Sequence, residues 1–183
     1  MKIQENIQIA LVAVGILWLV HLLNFVVPID LRLYGLRPRH IDGLWGIVST
    51  PLLHGNFSHL IANSITLFVL LTVSLSFSRK LTIMALLITA LVGGGLVWLF
   101  GGSNTIHIGA SGIIFGLIGF LMFMGIFRRE WIALFCSIAI FICYGGALLS
   151  LVFSVPGISW TGHFFGFFTG VLAAWWTKAK KRK

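Results

Sequence analysis

Reactive polar side chains are rare in this apolar chain of 183 residues, and four of them suit a single reaction. A serine hydroxyl becomes a useful nucleophile only beside a general base, a task for which a histidine imidazole is well suited. The residue types therefore predict acyl transfer by Ser111, with His163 as its base. The developing oxyanion also needs N–H donors. His59 and Asn63, one helical turn apart, would provide them together with the backbone N–H of Ser111.

The elements that must position these residues are six long apolar runs. Hydrophobic residues make up 58% of the chain and charged residues only 9%, whereas soluble domains are about 25% charged. A transmembrane helix needs about 20 predominantly apolar residues. We therefore predict an all-α membrane protein, a single domain over residues 1–183, with six transmembrane helices. Their expected bounds are 7–27, 59–77, 81–100, 109–127, 131–153 and 160–177.

Positive charge predicts the orientation of the helices, because loops rich in lysine and arginine stay in the cytoplasm. One side of the bundle holds Arg32, Arg37 and Arg39, and the other side holds the remaining ten of the 13 basic residues. Both termini are therefore expected in the cytoplasm. The long segment 28–58 mixes polar and apolar residues, which predicts a structured outer loop lying in the membrane interface. The chain is expected in the inner membrane if it is bacterial.

This topology brings the four polar residues to one depth. The second, fourth and sixth helices all run from the outside inward, so residues at their starts share the outer end of the bundle. Glycines spaced four residues apart let helix backbones approach closely. That spacing occurs in the fourth and sixth helices, at Gly112, Gly116, Gly166 and Gly170. Packing along these faces would bring Ser111 and His163 within hydrogen-bond range.

Other chemistries fit the sequence less well. The four acidic residues all lie in predicted loops or termini, which disfavours an aspartyl protease or an acidic cation pathway. Histidines on the outer side lack cysteine or carboxylate co-ligands, so no metal or cofactor is expected at His54, His59, His107 and His163. The net charge of +9 comes from short clusters between apolar runs. Such clusters favour contact with lipid head groups over nucleic acid. A transporter would need polar residues near the midplane of several helices, or an internal repeat, and neither is found.

Three short motifs occur in an order and topology known from one family. The second predicted helix is entered by H-x4-H-x3-N, here His54, His59 and Asn63. The fourth begins with G-x-S-G at 109–112, and the sixth carries a histidine followed by spaced glycines, at His163, Gly166 and Gly170. With these motifs the chain resembles the rhomboid family of intramembrane serine proteases, in its minimal six-helix bacterial form.

The resemblance implies hydrolysis of a peptide bond in or beside the transmembrane segment of a membrane-protein substrate, without metal or cofactor. It implies that Ser111 is the nucleophile and His163 the base, with His59 and Asn63 in the oxyanion hole. His54 would bond within the first outer loop, and the supporting residues would be Gly109, Gly112, Phe115, Gly166 and Gly170. Substrates would carry a helix-destabilised span with a small residue at the cut. They would enter beside the fifth helix, under a movable cap at 154–159.

Three features depart from the family pattern, one of them the lack of the glutamate that some members carry late in the second helix. Many rhomboids have arginine after a loop tryptophan, where this chain has Gly46 after Trp45. Many also have tyrosine four residues after the catalytic serine, where this chain has Phe115, a ring that stacks but donates no hydroxyl hydrogen bond. The alternative function is a catalytically inactive, client-binding protein of the same fold, against which the intact Ser111 and His163 argue. The oligomeric state is left open.

Overall fold

The computed structural model describes residues 2–151 and 159–176 of the chain. Its long helices are α1 (Lys2–Val26), α2 (Phe57–Phe77), α3 (Arg79–Phe100), α4 (Ser111–Arg128), α5 (Trp131–Leu151) and α6 (Trp160–Trp176). A π-helical turn, Thr89–Gly93, lies within α3. The described residues form no β-strand, and a single bridge pairs Leu36 with His107. The architecture over these ranges is therefore all-α, as the apolar runs predicted.

Helices α1 to α5 are each long and apolar enough to cross a membrane. Five such helices make the chain an integral, multi-pass membrane protein. The sixth helix is also apolar and has 17 described residues. A sixth crossing and the cytoplasmic side of both termini stay predictions, and the basic tail beyond residue 176 lies outside the described residues.

The described ends of α2, α3, α4 and α6 lie within two residues of the expected bounds, whereas α1 and α5 differ more. Helix α1 begins at Lys2, before its apolar run, because its polar first turn is paired: Arg79 donates to Asn6 at 2.8 Å and to Glu5 at 2.7 Å. Helix α5 is α-helical only from Trp131 to Tyr144 and continues as a 3-10 helix, Gly145–Leu151. Two successive glycines have low α-helical propensity, and the tighter winding begins at the first of them.

Helix α4 lies at the centre of the bundle, and its most extensive contact is with α6. Phe120 in its middle is fully buried. The two backbones touch at glycines: a Cβ added to Gly166 would collide with the carbonyl oxygen of Gly112, and one on Gly170 with that of Gly116. Close approach of small residues is a main source of helix association in membranes. This interface therefore fixes α4 and α6 relative to each other.

The segment between α1 and α2 is held by short helical turns and by Thr50. The Thr50 hydroxyl donates to the His107 carbonyl oxygen at 2.9 Å and accepts the Leu36 N–H at 2.8 Å. Gly46 lies so close to the Leu36 backbone that a Cβ there would collide with it. The glycine that stands where many rhomboids have arginine thus lets this segment cross itself tightly. The turns are Leu31–Tyr34, Ile41–Gly43, Gly46–Ser49 and Thr50–Leu52.

Candidate active site

A cavity of about 500 Å³ lies among the first turns of α2, α4 and α6 and the end of α5. Helix α5 contributes Tyr144 and Ala147 to its wall. The residues predicted to react all line this one space, and Phe115 lies beside them: His59, Asn63, Ser111 and His163. Three separate helices thus bring their polar residues to one end of the bundle.

The backbone before Ser111 passes directly beside the predicted oxyanion residues. Gly109 has a φ of +115°, in the left-handed region that favours glycine. A Cβ there would lie 2.6 Å from Cε1 of His59 and 3.5 Å from Nδ2 of Asn63. The Gly109 N–H donates to the Thr50 carbonyl oxygen at 2.9 Å, which anchors this turn. Ser111 is the first residue of α4, so its own N–H has no partner within the helix and can face an oxyanion.

The imidazole of His163 is buried and held on two sides. Phe115 stacks on its face, with ring centroids 4.1 Å apart and an interplanar angle of 15°. Its Nδ1 atom lies 3.0 Å from Oγ of Ser150, a residue of the 3-10 end of α5. The stack and this hydrogen bond leave Nε2 as the nitrogen that can serve a nucleophile in the cavity.

His54 lies behind the cavity and orients the Asn63 amide. Nδ2 of Asn63 is 3.0 Å from Nε2 of His54, and Nδ1 of His54 is 3.4 Å from the Leu52 carbonyl oxygen. An amide nitrogen can only donate, so Nε2 accepts and the ring proton lies on Nδ1. Burial, and secondarily the charge of a protonated His59, lowers the pKa of His54 to about 4. One Asn63 N–H is thereby engaged, and the second is available to an oxyanion.

His107 is a buried structural residue in the loop before α4. Its Nδ1 lies 2.6 Å from Oγ of Ser159, and its Nε2 lies 3.0 Å from Oγ1 of Thr105. The Ser159 hydroxyl also accepts the Gly162 N–H at 3.1 Å, at the start of α6. Burial lowers the pKa of His107, so the ring is neutral near pH 7. Among residues 2–151 and 159–176, no three His, Cys, Asp or Glu side chains are grouped to hold a metal ion.

Sequence reasoning missed several residues that shape this site. The Ser150 hydroxyl contacts His163, the Thr50 hydroxyl joins Leu36 to His107, and the Ser159 hydroxyl joins His107 to the start of α6. Each is a lone hydroxyl residue outside the motifs, so no spacing pattern marks it. The sequence marks Arg39 only as a topology signal, whereas in the structure its guanidinium donates to the Leu99 and Gly101 carbonyl oxygens. Of the proposed cap at 154–159, only Ser159 lies within the described residues.

Comparison with known proteins gives a family. A model of the Rhomboid domain matches residues 42–180. An uncharacterized protein of Mycobacterium tuberculosis is 39% identical over 178 residues, covering 93% of this chain and 74% of that protein. One of Mycobacterium leprae is 39% identical over 180 residues, covering 92% and 70%. A Bacillus subtilis protein named as a candidate rhomboid protease is 33% identical over 147 residues, covering 76% of this chain and 70% of its own.

Proposed function

The chain belongs to the Rhomboid family, and from that membership we propose that it is a serine endopeptidase of the membrane. Its substrates are membrane proteins, and it hydrolyses a peptide bond in or next to a transmembrane segment. The observation that carries the proposal is the cavity that Ser111 and His163 share with His59 and Asn63. A nucleophile, a base and oxyanion donors around one open space are what acyl transfer requires.

In the first half of the proposed reaction, Ser111 Oγ attacks the substrate carbonyl carbon while Nε2 of His163 takes the hydroxyl proton. The negative oxygen of the tetrahedral intermediate accepts hydrogen bonds from the His59 ring, the second Asn63 N–H and the Ser111 backbone N–H. Each such donor typically stabilises the transition state by about 2.7–4 kcal/mol. The burial of the site strengthens these bonds, since the local dielectric is low.

In the second half, protonated His163 gives its proton to the leaving amine, and the C–N bond breaks. The acyl group is then an ester on Ser111. A water molecule, deprotonated by the same imidazole, attacks this ester and releases the second product. The hydroxyl of Ser111 and the neutral ring of His163 are restored, and no metal or cofactor takes part.

A dyad without a carboxylate agrees with the placement of acidic residues. The chain has four of them, and each forms an ion pair with an arginine in a loop or at a helix end. The pairs are Asp30–Arg32, Asp42–Arg37, Glu5–Arg79 and Glu130–Arg128. No carboxylate is therefore left to orient His163, and neutral groups must hold the imidazole.

The cavity wall supports lateral entry of the substrate from the membrane. Ala62 and Thr66 of α2 and Tyr144 and Ala147 of α5 line the same space as the dyad. A helix-destabilised segment with a small residue at the cut can unwind into it from between these two helices. The site then lies at the outer end of a bundle in the cell membrane, with both termini inside and lipid as its surroundings.

The test needs no known substrate. Detergent-purified protein is treated with a fluorescent fluorophosphonate, which reacts with activated serines. The comparison includes the wild type, Ser111→Ala, His163→Ala, and Ser58→Ala as a control serine in the same cavity wall. We expect labelling of the wild type and of Ser58→Ala. Labelling should be absent in Ser111→Ala and at least about 1,000-fold slower in His163→Ala.

The opposite result has a definite meaning. A folded wild type that neither reacts with the probe nor cleaves a generic transmembrane substrate would contradict the protease proposal. The client-binding function would then take its place, because it retains the fold and loses the chemistry. Labelling that persists in Ser111→Ala would instead show that the activated serine lies elsewhere in the chain.

A further inference from the structure

One hydroxyl of α5 contacts the imidazole that serves as base. Oγ of Ser150 lies 3.0 Å from Nδ1 of His163, and the same hydroxyl donates to the Ala147 carbonyl oxygen at 2.7 Å. Ser150 is part of the 3-10 segment Gly145–Leu151 that ends α5. None of the sequence motifs contains this serine, and a two-residue dyad gives it no role.

The proton positions follow from the donors and acceptors. A hydroxyl has one proton, and a carbonyl oxygen can only accept. Because the Ser150 proton is directed to Ala147, the Ser150 oxygen accepts from His163, which places the imidazole proton on Nδ1. The lone pair of the neutral ring then lies on Nε2, the atom that must take the proton from Ser111. The partner of one ring nitrogen thus decides which nitrogen carries the proton.

We propose that Ser150 is a positioning residue that holds His163 in the Nδ1–H tautomer and fixes the rotation of its ring. The proposal rests on the proposed function, because it concerns the same base. In a Ser-His-Asp triad a buried carboxylate has this task. Here a neutral hydroxyl performs it without burying a charge, while the stacked ring of Phe115 fixes the plane of the imidazole.

The location of Ser150 also couples the base to the end of α5. The Gly145–Leu151 segment has no buried residue. Two hydrogen bonds join it to α6. One is the Ser150–His163 bond, and in the other the Trp160 indole donates to the Leu151 carbonyl oxygen. A displacement of this segment breaks the bond to His163 and leaves the glycine contacts between α4 and α6 unchanged. The base is therefore oriented when the end of α5 is in place.

The first test reads the tautomer directly. Protein labelled with 15N-histidine is studied in micelles at about pH 8, where two-bond 15N–1H correlations distinguish protonated from bare ring nitrogens. His163→Ala identifies the signals of the base. We expect the Nδ1–H pattern in the wild type and in Ser150→Thr, which keeps the hydroxyl, and its loss in Ser150→Ala.

The second test reads the reaction. On a transmembrane substrate, Ser150→Ala should lower kcat about fivefold, the typical effect of one hydrogen bond, and leave KM unchanged. Ser150→Thr should recover most of the rate. Ser103→Ala changes an exposed serine in the loop before α4, outside the cavity, and should equal the wild type. Thermal unfolding of all variants in the same detergent separates a positioning effect from a loss of structure.

The outcomes separate this inference from the function on which it rests. An unchanged His163 signal in Ser150→Ala, or an Nε2–H pattern in the wild type, overturns the positioning role even if the protein is an active protease. A Ser150-dependent tautomer in a wild type that neither labels nor cleaves overturns the protease function and leaves the contact established. A matched fall in kcat and in Nδ1–H signal, both restored by threonine, supports the inference.

Discussion

The two sides of the cavity are built differently. On one side, α4 and α6 meet through backbone glycines, and 61% of the residues of α4 are buried inside the protein. On the other side, only 17% of the residues in the most apolar 18-residue stretch of α5 are buried. The buried residues of α5 are Ala133, Ser137 and Ile140, all before the 3-10 segment.

This difference separates two requirements of the site. The proposed nucleophile and base need a fixed distance, and a close-packed interface provides it because atoms in contact resist any shift. A substrate needs a way in, and an element with few buried contacts opens at low free-energy cost. The Ser150–His163 bond joins the two sides, so the geometry of the base depends on both.

The largest effect is expected on stability, in a matched pair of glycine-to-alanine substitutions with one on each side of the cavity. In Gly170→Ala the new Cβ meets the Gly116 carbonyl oxygen, a backbone atom that cannot swing aside. We expect a loss of about 3 kcal/mol in the free energy of unfolding, the upper range for overpacking. Gly146→Ala places its Cβ in open space and should change stability by less than about 1 kcal/mol. Reversible unfolding in mixed micelles measures both.

Equal losses of stability in Gly170→Ala and Gly146→Ala would contradict the difference in packing between the two sides of the cavity. Fluorophosphonate labelling serves as a second measurement on the same samples. Gly146→Ala should label like the wild type, and Gly170→Ala should label slowly because the separation of Ser111 and His163 changes.

A second prediction concerns the pH dependence of stability at His54, which supports Asn63 behind the cavity. The pKa of His54 is about 4 in the folded protein, against the ordinary histidine value of 6.5, so the unfolded chain takes up its proton first as the pH falls. Stability is therefore fully present above about pH 7 and decreases as the pH drops from 6.5 towards 4. Between about pH 7 and pH 5 the contribution of His54 to this loss is about 2 kcal/mol.

His54→Gln isolates this contribution, because glutamine still offers an oxygen to Asn63 and does not titrate. Unfolding measured at both pH values should show a shallower decline in the variant. The same decline in both proteins would assign the pH dependence to other groups.

The third prediction tests the Thr50 hydroxyl as an anchor between Leu36 and the loop before α4. Thr50→Val removes a donor to His107 and an acceptor for Leu36, and those two backbone groups still bond each other at 3.0 Å. We expect a loss of about 1–2 kcal/mol in stability and slower labelling of Ser111. The control is Thr72→Val, whose buried hydroxyl has no partner among the described residues. It should be neutral or slightly stabilising, and a result as large as that of Thr50→Val would show that the anchor is not specific.

The smallest expected effect is at the ring stack. Phe115→Leu removes a contact worth about 1 kcal/mol, so kcat should fall about fivefold. Phe115→Tyr should keep the wild-type rate, since the stack is preserved. Phe123→Leu changes the same residue type on the same helix, where the ring packs on Phe127 and Phe167 instead. A kcat effect of Phe123→Leu equal to that of Phe115→Leu would mean that general packing of α4, not the stack, sets the rate.

The sequence by itself determined the helical class, the membrane location and the identity of the candidate reactive residues. These properties are local. A run of about 20 apolar residues must form a helix in a membrane, because its backbone polar groups have no other partners. The motifs around His59, Ser111 and His163 are short, so their spacing is readable along the chain. The four-residue spacing of the glycines in α4 and α6 likewise predicted a close contact between these helices.

Only the tertiary structure decided what holds these residues in place. Ser150 and His163 are 13 residues apart in sequence and belong to different helices, and Thr50 contacts His107 from 57 residues away. A single hydroxyl has no periodic signal, and its partner is chosen by how the helices pack and where α5 changes to a 3-10 helix. Directional hydrogen bonds between segments form only once that packing has set distances to within a few tenths of an ångström. The orientation of the His163 imidazole, the proposed base, is therefore a property of the folded bundle.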